Sequence, residues 1–155
     1  MDDSAHSRIR SLRLEPHPEG GHYRRIHASS RQVEAGGRLR PAMTAIHYLL
    51  DSGERSAWHR VDADEWWHWD EGDALELLQH RQGSGLVERV VLGAGAGEVR
   101  SCVMPAGVWQ SARALDRYAL VTCVVAPGFD WEGFGLLDPD SALARELSRL
   151  PVVQR

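Results

Sequence analysis

The sequence contains no lysine, and all eighteen basic residues are arginine. Codon usage is the bland account of such a bias, yet it has a chemical consequence. Guanidinium binds carboxylate and phosphate in a bidentate way, so an arginine beside a pocket is a candidate anion contact. Cysteine is scarce as well. Cys102 and Cys123 are the only two; they lack metal-type spacing and are read as free thiols packed in a core. No apolar run approaches the ~20 residues that cross a bilayer, so no membrane partner is expected. The opening stretch MDDSAHSRIR is polar, which predicts no secretory leader and a cytoplasmic location. Positive charge is not in excess: the formal net charge is −4, which removes the electrostatic case for nucleic acid as a partner. Internal repeats, linkers and low-complexity tails are missing too, and so are amphipathic stretches between the strand-like segments. That last absence excludes a helix-rich α/β fold.

What is present is an ordinary globular composition, 43% apolar and 26% charged over 155 residues. This suits one domain, 1–155, with a core over about 12–138. Residues 4–14 read as a short helix with Ser4 as N-cap, stopped by Pro16 and Pro18. PHPEGG (16–21) reads as a turn. HYRRIHASS is an alternating strand with Tyr23 and Arg25 on one face, and EAGGRLRP is a polar loop. MTAIHYLL, SAWHRV, EWWHW, ALELLQHR, LVERVVLG, EVRSCVM, VWQSARAL and RYALVTCVVA follow as strands, with DSG, DAD, DEGD, QGSG and GAGAG between them. SALARELSRL (141–150) is a C-terminal helix capped by Ser141. Eight or more short strands at intervals of about 8–12 residues predict a sandwich or barrel.

One stretch is unusual. GERSAWHRVDADEWWHWDEG (53–72) holds four of the six tryptophans, two histidines and a run of carboxylates. It matches the spacing G-x5-H-x-H-x3-E-x6-G at Gly53, His59, Glu65 and Gly72, with Val61 where the second His would stand. Further on, PAGVWQ matches P-x-G-x2-H at Pro105 and Gly107, with Gln110 in place of His. The upstream glycine is displaced to Gly97 and the trailing Asn position is Ala114. These are the two motifs of the cupins. With LEPHPEGGHYRR, TAIHYLL, VMPAGVWQSA and VTCVVAPGFDWEGF, the chain resembles the cupin-5 family, also called DUF985, over roughly residues 12–138. The resemblance implies an all-β fold, a double-stranded β-helix or jelly-roll (cupin) barrel with short N- and C-terminal helices, a homodimer, and a small-molecule pocket inside the barrel. It supplies no assigned reaction. It points by analogy to sugar-nucleotide epimerases.

Period-two facing places His59 with Ala57 and Val61, and Glu65 with Trp67 and Trp69, leaving Trp66 and His68 opposite. Three chemistries compete for such a pocket. In the first, a divalent metal binds His59, Glu65 and Gln110. The resemblance implies three His and one Glu, and this reduced set binds an ion poorly, so no cofactor is expected; His22 or His47 would have to enter from neighbouring strands. In the second, His59 is a base, Glu65 orients it or shares its proton, and Tyr118 or Tyr48 is the second proton donor of an isomerase or epimerase acting on a carbohydrate-like or other polar carbonyl compound. Gln110, Trp67, Trp69 and His68 then bind the small-molecule substrate, and Arg24 holds an anionic group. In the third, Trp67, Trp69 and Trp109 stack on a ligand that is bound without turnover. Nucleophilic catalysis has no support, since neither cysteine has an adjacent His and Ser111 lacks an elbow signature. Glu19 is read as part of a structural turn or the pocket mouth. Phe129, Trp131 and Phe134 are read as covering one end of the barrel or a partner subunit.

Overall fold

Strand-forming runs of β-branched, aromatic and aliphatic residues build two sheets whose facing sides form the interior. The structure, a computed structural model, describes residues 3–155. Helix α1 (Asp3–Leu12) leads into strands β1 (Glu15–Pro16), β2 (His22–Ala28), β3 (Gln32–Ala35), β4 (Arg38–Pro41), β5 (Thr44–Asp51), β6 (His59–Val61), β7 (Asp64–Gly72), β8 (Leu75–His80) and β9 (Val87–Leu92). Strands β10 (Ser101–Met104), β11 (Trp109–Ala114) and β12 (Tyr118–Ala126) follow. A 3-10 turn (Trp131–Gly133), β13 (Phe134–Leu136), α2 (Ala142–Leu147) and β14 (Val152–Gln154) complete the chain.

One sheet has the order β1-β2-β5-β12-β7-β10 and the other β13-β6-β11-β8-β9-β14. From β5 onward the chain passes back and forth between them, which is the jelly-roll connection. Among the described residues, all strand ladders are antiparallel except that of β14 with β9. The fold is all-β with two short helices, as the sequence predicts. The two sheets keep separate edges, so the barrel is better described as a sandwich than as a closed cylinder.

The core fills one part of the sandwich. Leu50, Trp67, Leu75, Leu77, Val90, Leu92, Ala112 and Val121 pack there, all buried. Each large aliphatic contributes about 1.5–3 kcal/mol when removed from water. Helix α1 lies on the outer side of the first sheet, where Ala5 and Ile9 meet Leu49, Leu120 and Tyr118. Ser4, expected as the N-cap, lies inside α1. Ser141 does cap α2: its hydroxyl accepts from the Ala144 N–H at 3.2 Å.

The segment expected as a polar loop is corrected. Residues 32–41 form the β3–β4 hairpin. Its turn residues Gly36 and Gly37 both have positive φ, 65° and 76°, as a tight two-residue hairpin turn requires. Two arginines of β4 anchor it. Arg40, 2% exposed, bonds Asp62 through two nitrogens at 2.9 and 3.0 Å and donates to the Gly128 carbonyl at 2.7 Å. Arg38 reaches Asp62 and Asp130. The hairpin thereby ties the β6–β7 turn to the segment that carries Phe129, Trp131 and Phe134.

Candidate functional site

Beyond the packed core, the sandwich encloses a cavity of about 540 Å³. Its inner wall is polar at one place. His59, on β6, is 2% exposed, and Glu65, on β7, is 7% exposed. Both line the cavity, together with Val61, Trp67 and Tyr48, so the alternation argument holds for β6 and the start of β7.

His59 does not pair with Glu65 as its closest partner. Its Nε2 lies 3.0 Å from the carboxyl of Glu19, the glutamate of PHPEGG, itself 7% exposed. His59 Nδ1 lies 2.7 Å from the Ala57 carbonyl, and a carbonyl only accepts, so Nδ1 carries a hydrogen. Contact between Nε2 and the Glu19 oxygen then needs one more proton, either on the acid or on the imidazole. Glu19 and His59 share that proton.

The turn holds this pair by backbone bonds. The Ala57 N–H donates to the Glu19 carbonyl at 2.7 Å, and the His17 N–H donates to Gly21 O at 2.9 Å. The Tyr48 hydroxyl donates to Gly20 O at 2.6 Å. Gly21 has φ +71°, and a Cβ there would lie 2.7 Å from Leu49 O, so glycine is required both for conformation and for space. The Glu19 N–H donates to His17 Nδ1 at 3.1 Å, which fixes His17 as the neutral tautomer.

A second arm holds Glu65. The Gln110 side-chain amide donates to Glu65 at 2.5 Å, and the Trp67 indole N–H donates to the Gln110 oxygen at 2.9 Å. Gln110, from β11, is thus a bridge between sheets and stands behind the cavity wall.

Burial dominates the electrostatics of the site. It pushes the Glu19 carboxyl up to about 8, against the neighbouring Tyr48 hydroxyl, which favours the anion. It pushes Glu65 up to about 7, opposed by His59 and reinforced by the Glu19 charge. Burial also lowers His59, against Glu65 and the Ala57 carbonyl, and lowers His17 to about 4, helped by His59. Tyr48 is raised well above 10 by burial and then by Glu19. Two carboxyls that titrate near neutrality thus face one cavity, the pattern from which acid and base roles are assigned.

The remaining expected site residues divide. Arg24 lines the cavity, and Arg25 and Arg13 join it. Tyr118 lies away from the cavity: it packs against α1, and its hydroxyl donates to Glu71 at 3.0 Å. Trp69 bonds the Asp73 carbonyl and carries the Arg100 guanidinium on its face. His68 stacks on Trp66 on the other side of β7. Trp109 lies under Arg60. His47 faces Thr122, and neither it nor His22 lines the cavity. Phe129, Trp131 and Phe134 do line it and form mutual edge-to-face contacts. Cys123 is buried, whereas Cys102 is only half-buried. Glu19, read from sequence as part of a structural turn or the pocket mouth and not as a site residue, stands in the cavity wall against His59. The Gly20–Gly21 pair after it is the one local sign that the backbone approaches another strand closely there.

A cupin metal site does not fit these residues. Both His59 nitrogens are engaged, Gln110 turns its amide nitrogen to Glu65 and its oxygen to Trp67, and Val61 presents hydrocarbon. Among the described residues no group of three or more His, Cys, Asp or Glu side chains is placed to hold a metal ion. No helix among them is long and apolar enough to cross a membrane.

No curated protein matches the chain by sequence. A hypothetical protein from Leishmania major is similar in structure, with a TM-score of 0.85 and 27% identity, covering 96% of this chain and 99% of the other. A crystal structure from Shewanella oneidensis has a TM-score of 0.81 and 31% identity over 93% of this chain and 90% of its own. A dTDP sugar isomerase from Desulfovibrio desulfuricans, 18% identical, has a TM-score of 0.55 over 77% of this chain and 85% of its own, a likeness of fold alone. The sequence model of the family described as Cupin superfamily (DUF985) matches residues 6–137, and the chain, with its two cupin motifs and its sandwich, belongs to that family.

Proposed function

We propose that the protein is a small-molecule isomerase or epimerase that moves a proton at the carbon next to a carbonyl. Glu65 takes the proton and Glu19 donates to the carbonyl oxygen or to the opposite face of the carbon. Both are buried carboxyls lining one cavity, and each titrates close to working pH. That coincidence carries the reading, because general acid–base groups work best near the pH at which they act. His59 was the base expected from sequence. With both ring nitrogens engaged it serves here as a positioning residue that holds the proton of Glu19. The sugar isomerase among the structural neighbours is consistent with this chemistry. A homodimer in the cytoplasm belongs to the same reading; Trp66 and Val103, exposed as register partners on β7 and β10, supply a surface for it.

The test begins with a thermal-shift screen of aldoses, ketoses, uronates and sugar phosphates, since a ligand that binds only the folded state raises Tm. Each binder is then incubated in D2O and followed by proton NMR. The expected result is solvent-dependent loss of a C–H signal next to the carbonyl. Glu65→Gln slows it by about 10²–10⁴-fold while binding persists, and His59→Asn shifts its pH profile. Binders that never exchange would establish a non-catalytic binding module instead. Exchange at wild-type rate in Glu65→Gln would remove the mechanism.

A further inference from the structure

The exposed part of the cavity lining carries three arginines, Arg13, Arg24 and Arg25, and one carboxylate, Glu15. Among the described residues, none of the three arginines meets an acidic side chain. Arg24 donates only to the Leu12 carbonyl at 3.5 Å and Arg25 only to the Phe129 carbonyl at 3.4 Å. The Arg13 guanidinium has no hydrogen bond or ion pair among the described residues. Elsewhere the chain does spend carboxylates on arginines: Arg8 meets Glu71, Arg40 meets Asp62, Arg89 and Arg113 meet Glu76. At this opening three arginines stand against one carboxylate, and no ion pair joins them among the described residues.

Arg13 is informative for a second reason. Helix α1 ends in a two-bond cap, with the Leu14 N–H donating to Ile9 O at 2.9 Å and the Arg13 N–H to Arg10 O at 3.2 Å. In such a cap the residue that turns left-handed is usually glycine, because a Cβ is disfavoured there. Arg13 occupies it with φ 55° and is the sole non-glycine at positive φ among the described residues, against ten glycines. Its side chain makes no hydrogen bond or ion pair among the described residues and lies exposed at the cavity. Backbone conformations of this kind concentrate where function retains them.

We infer that the cavity takes a carbonyl compound bearing an oxyanion, a carboxylate or a phosphate, which Arg13 and Arg25 hold at the opening with Arg24 adding to the field. The aromatic wall of Phe129, Trp131 and Phe134 then packs on the ligand's body, and its carbonyl end reaches Glu19 and Glu65. This inference rests on the acid–base reading of the cavity only for the identity of the reacting end; the anion contact stands on the arginines.

The experiment measures binding, not turnover, so the two readings fail separately. D-glucuronate and glucose 6-phosphate serve as oxyanion probes and D-glucose as the neutral control, titrated by calorimetry at constant ionic strength. At least one oxyanion probe should bind ten-fold or more tightly than glucose; glucuronate alone indicates a carboxylate, glucose 6-phosphate alone a phosphate, and both a general oxyanion site. Arg25→Gln and Arg13→Gly should each weaken that binding about ten-fold, while Arg13→Gly leaves Tm unchanged or raises it. Equal affinity for charged and neutral probes, no binding of any probe, or unchanged affinity in both variants overturns the inference. A loss of affinity in Arg13→Gly with a lowered Tm would make Arg13 structural and overturn its assignment.

Discussion

Glu19 shows how far a single side chain can be moved from its solution behaviour by where a turn puts it. Unfolded, a glutamate titrates near 4.5; in this fold burial carries it to about 8. Between those values the folded protein retains a proton that the unfolded chain has released. Its contribution to stability is therefore full below about 4.5 and is lost as pH rises through about 8. Glu65, at about 7, adds the same sign over a lower window. His17 works the other way: lowered to about 4, it resists protonation that the unfolded chain accepts, so its contribution is present above 6.5 and lost as pH falls. From pH 6.5 to 8.5 the carboxyl effect therefore stands nearly alone. Thermal unfolding across that window should show the wild type losing Tm as pH rises and Glu19→Gln losing distinctly less. Parallel slopes for the two proteins would mean that Glu19 is not held protonated by the fold. That such a residue hid in PHPEGG has a physical reason. Turns lack the period-two rule that assigned facing to His59 and Glu65, and the inward aim of Glu19 is set by long-range bonds, Ala57 N–H to Glu19 O and Tyr48 hydroxyl to Gly20 O.

At the scale of elements, strands with a strong apolar run were legible and edge elements were not. Strands β5, β7, β8, β9, β11 and β12 are read from runs of β-branched, aromatic and aliphatic residues bounded by turn residues, and β5, β8, β11 and β12 are buried over nearly their whole length. Hairpin β3–β4 has no such run. Its register comes from a Gly-Gly turn and from arginines whose carboxylate partners lie more than twenty positions away. Strands β13 and β14, three residues each, are too short to show a period at all. The arginine clip makes a prediction of its own. Arg40 is buried, whereas Asp62 keeps about a third of its side-chain exposure. Breaking a fully buried pair costs about 3–5 kcal/mol, and solvent reduces that for a partner as wet as Asp62. Asp62→Ala should therefore lower stability by about 2–3 kcal/mol in urea denaturation. It should also loosen the segment from Phe129 to Phe134, which Arg38 and Arg40 tether through Asp130 and Gly128, visible as a change in Trp131 fluorescence. A loss below about 0.5 kcal/mol would show that the hairpin is held by something other than this pair.

Across the whole molecule, two sheets enclose a hydrocarbon core in one part and a cavity with a polar inner wall and an aromatic side in the other, and Gln110 stands at the boundary. It belongs to the second sheet, yet both its bonds go to the first, to Glu65 and Trp67. The cupin motif marks this position without revealing its use here, because the residue expected there is His and the one present is Gln. Replacing Gln110 with Met keeps the volume and removes both bonds. The Trp67 N–H and the Glu65 carboxyl, both buried, would then lack a partner, at a cost of about 1–3 kcal/mol each, less whatever Glu65 recovers by holding its proton. Gln110 also favours the ionised form of Glu65, so its loss moves that carboxyl further above about 7. A net loss of about 2–3 kcal/mol at pH 6 is expected, growing as pH rises to 9 because the unpartnered carboxylate must then ionise inside the sandwich. Urea denaturation at the two pH values reads both effects. A Gln110→Met protein as stable as the wild type, or one whose deficit is the same at pH 6 and pH 9, would show that the bridge between the sheets does not control the charge of Glu65.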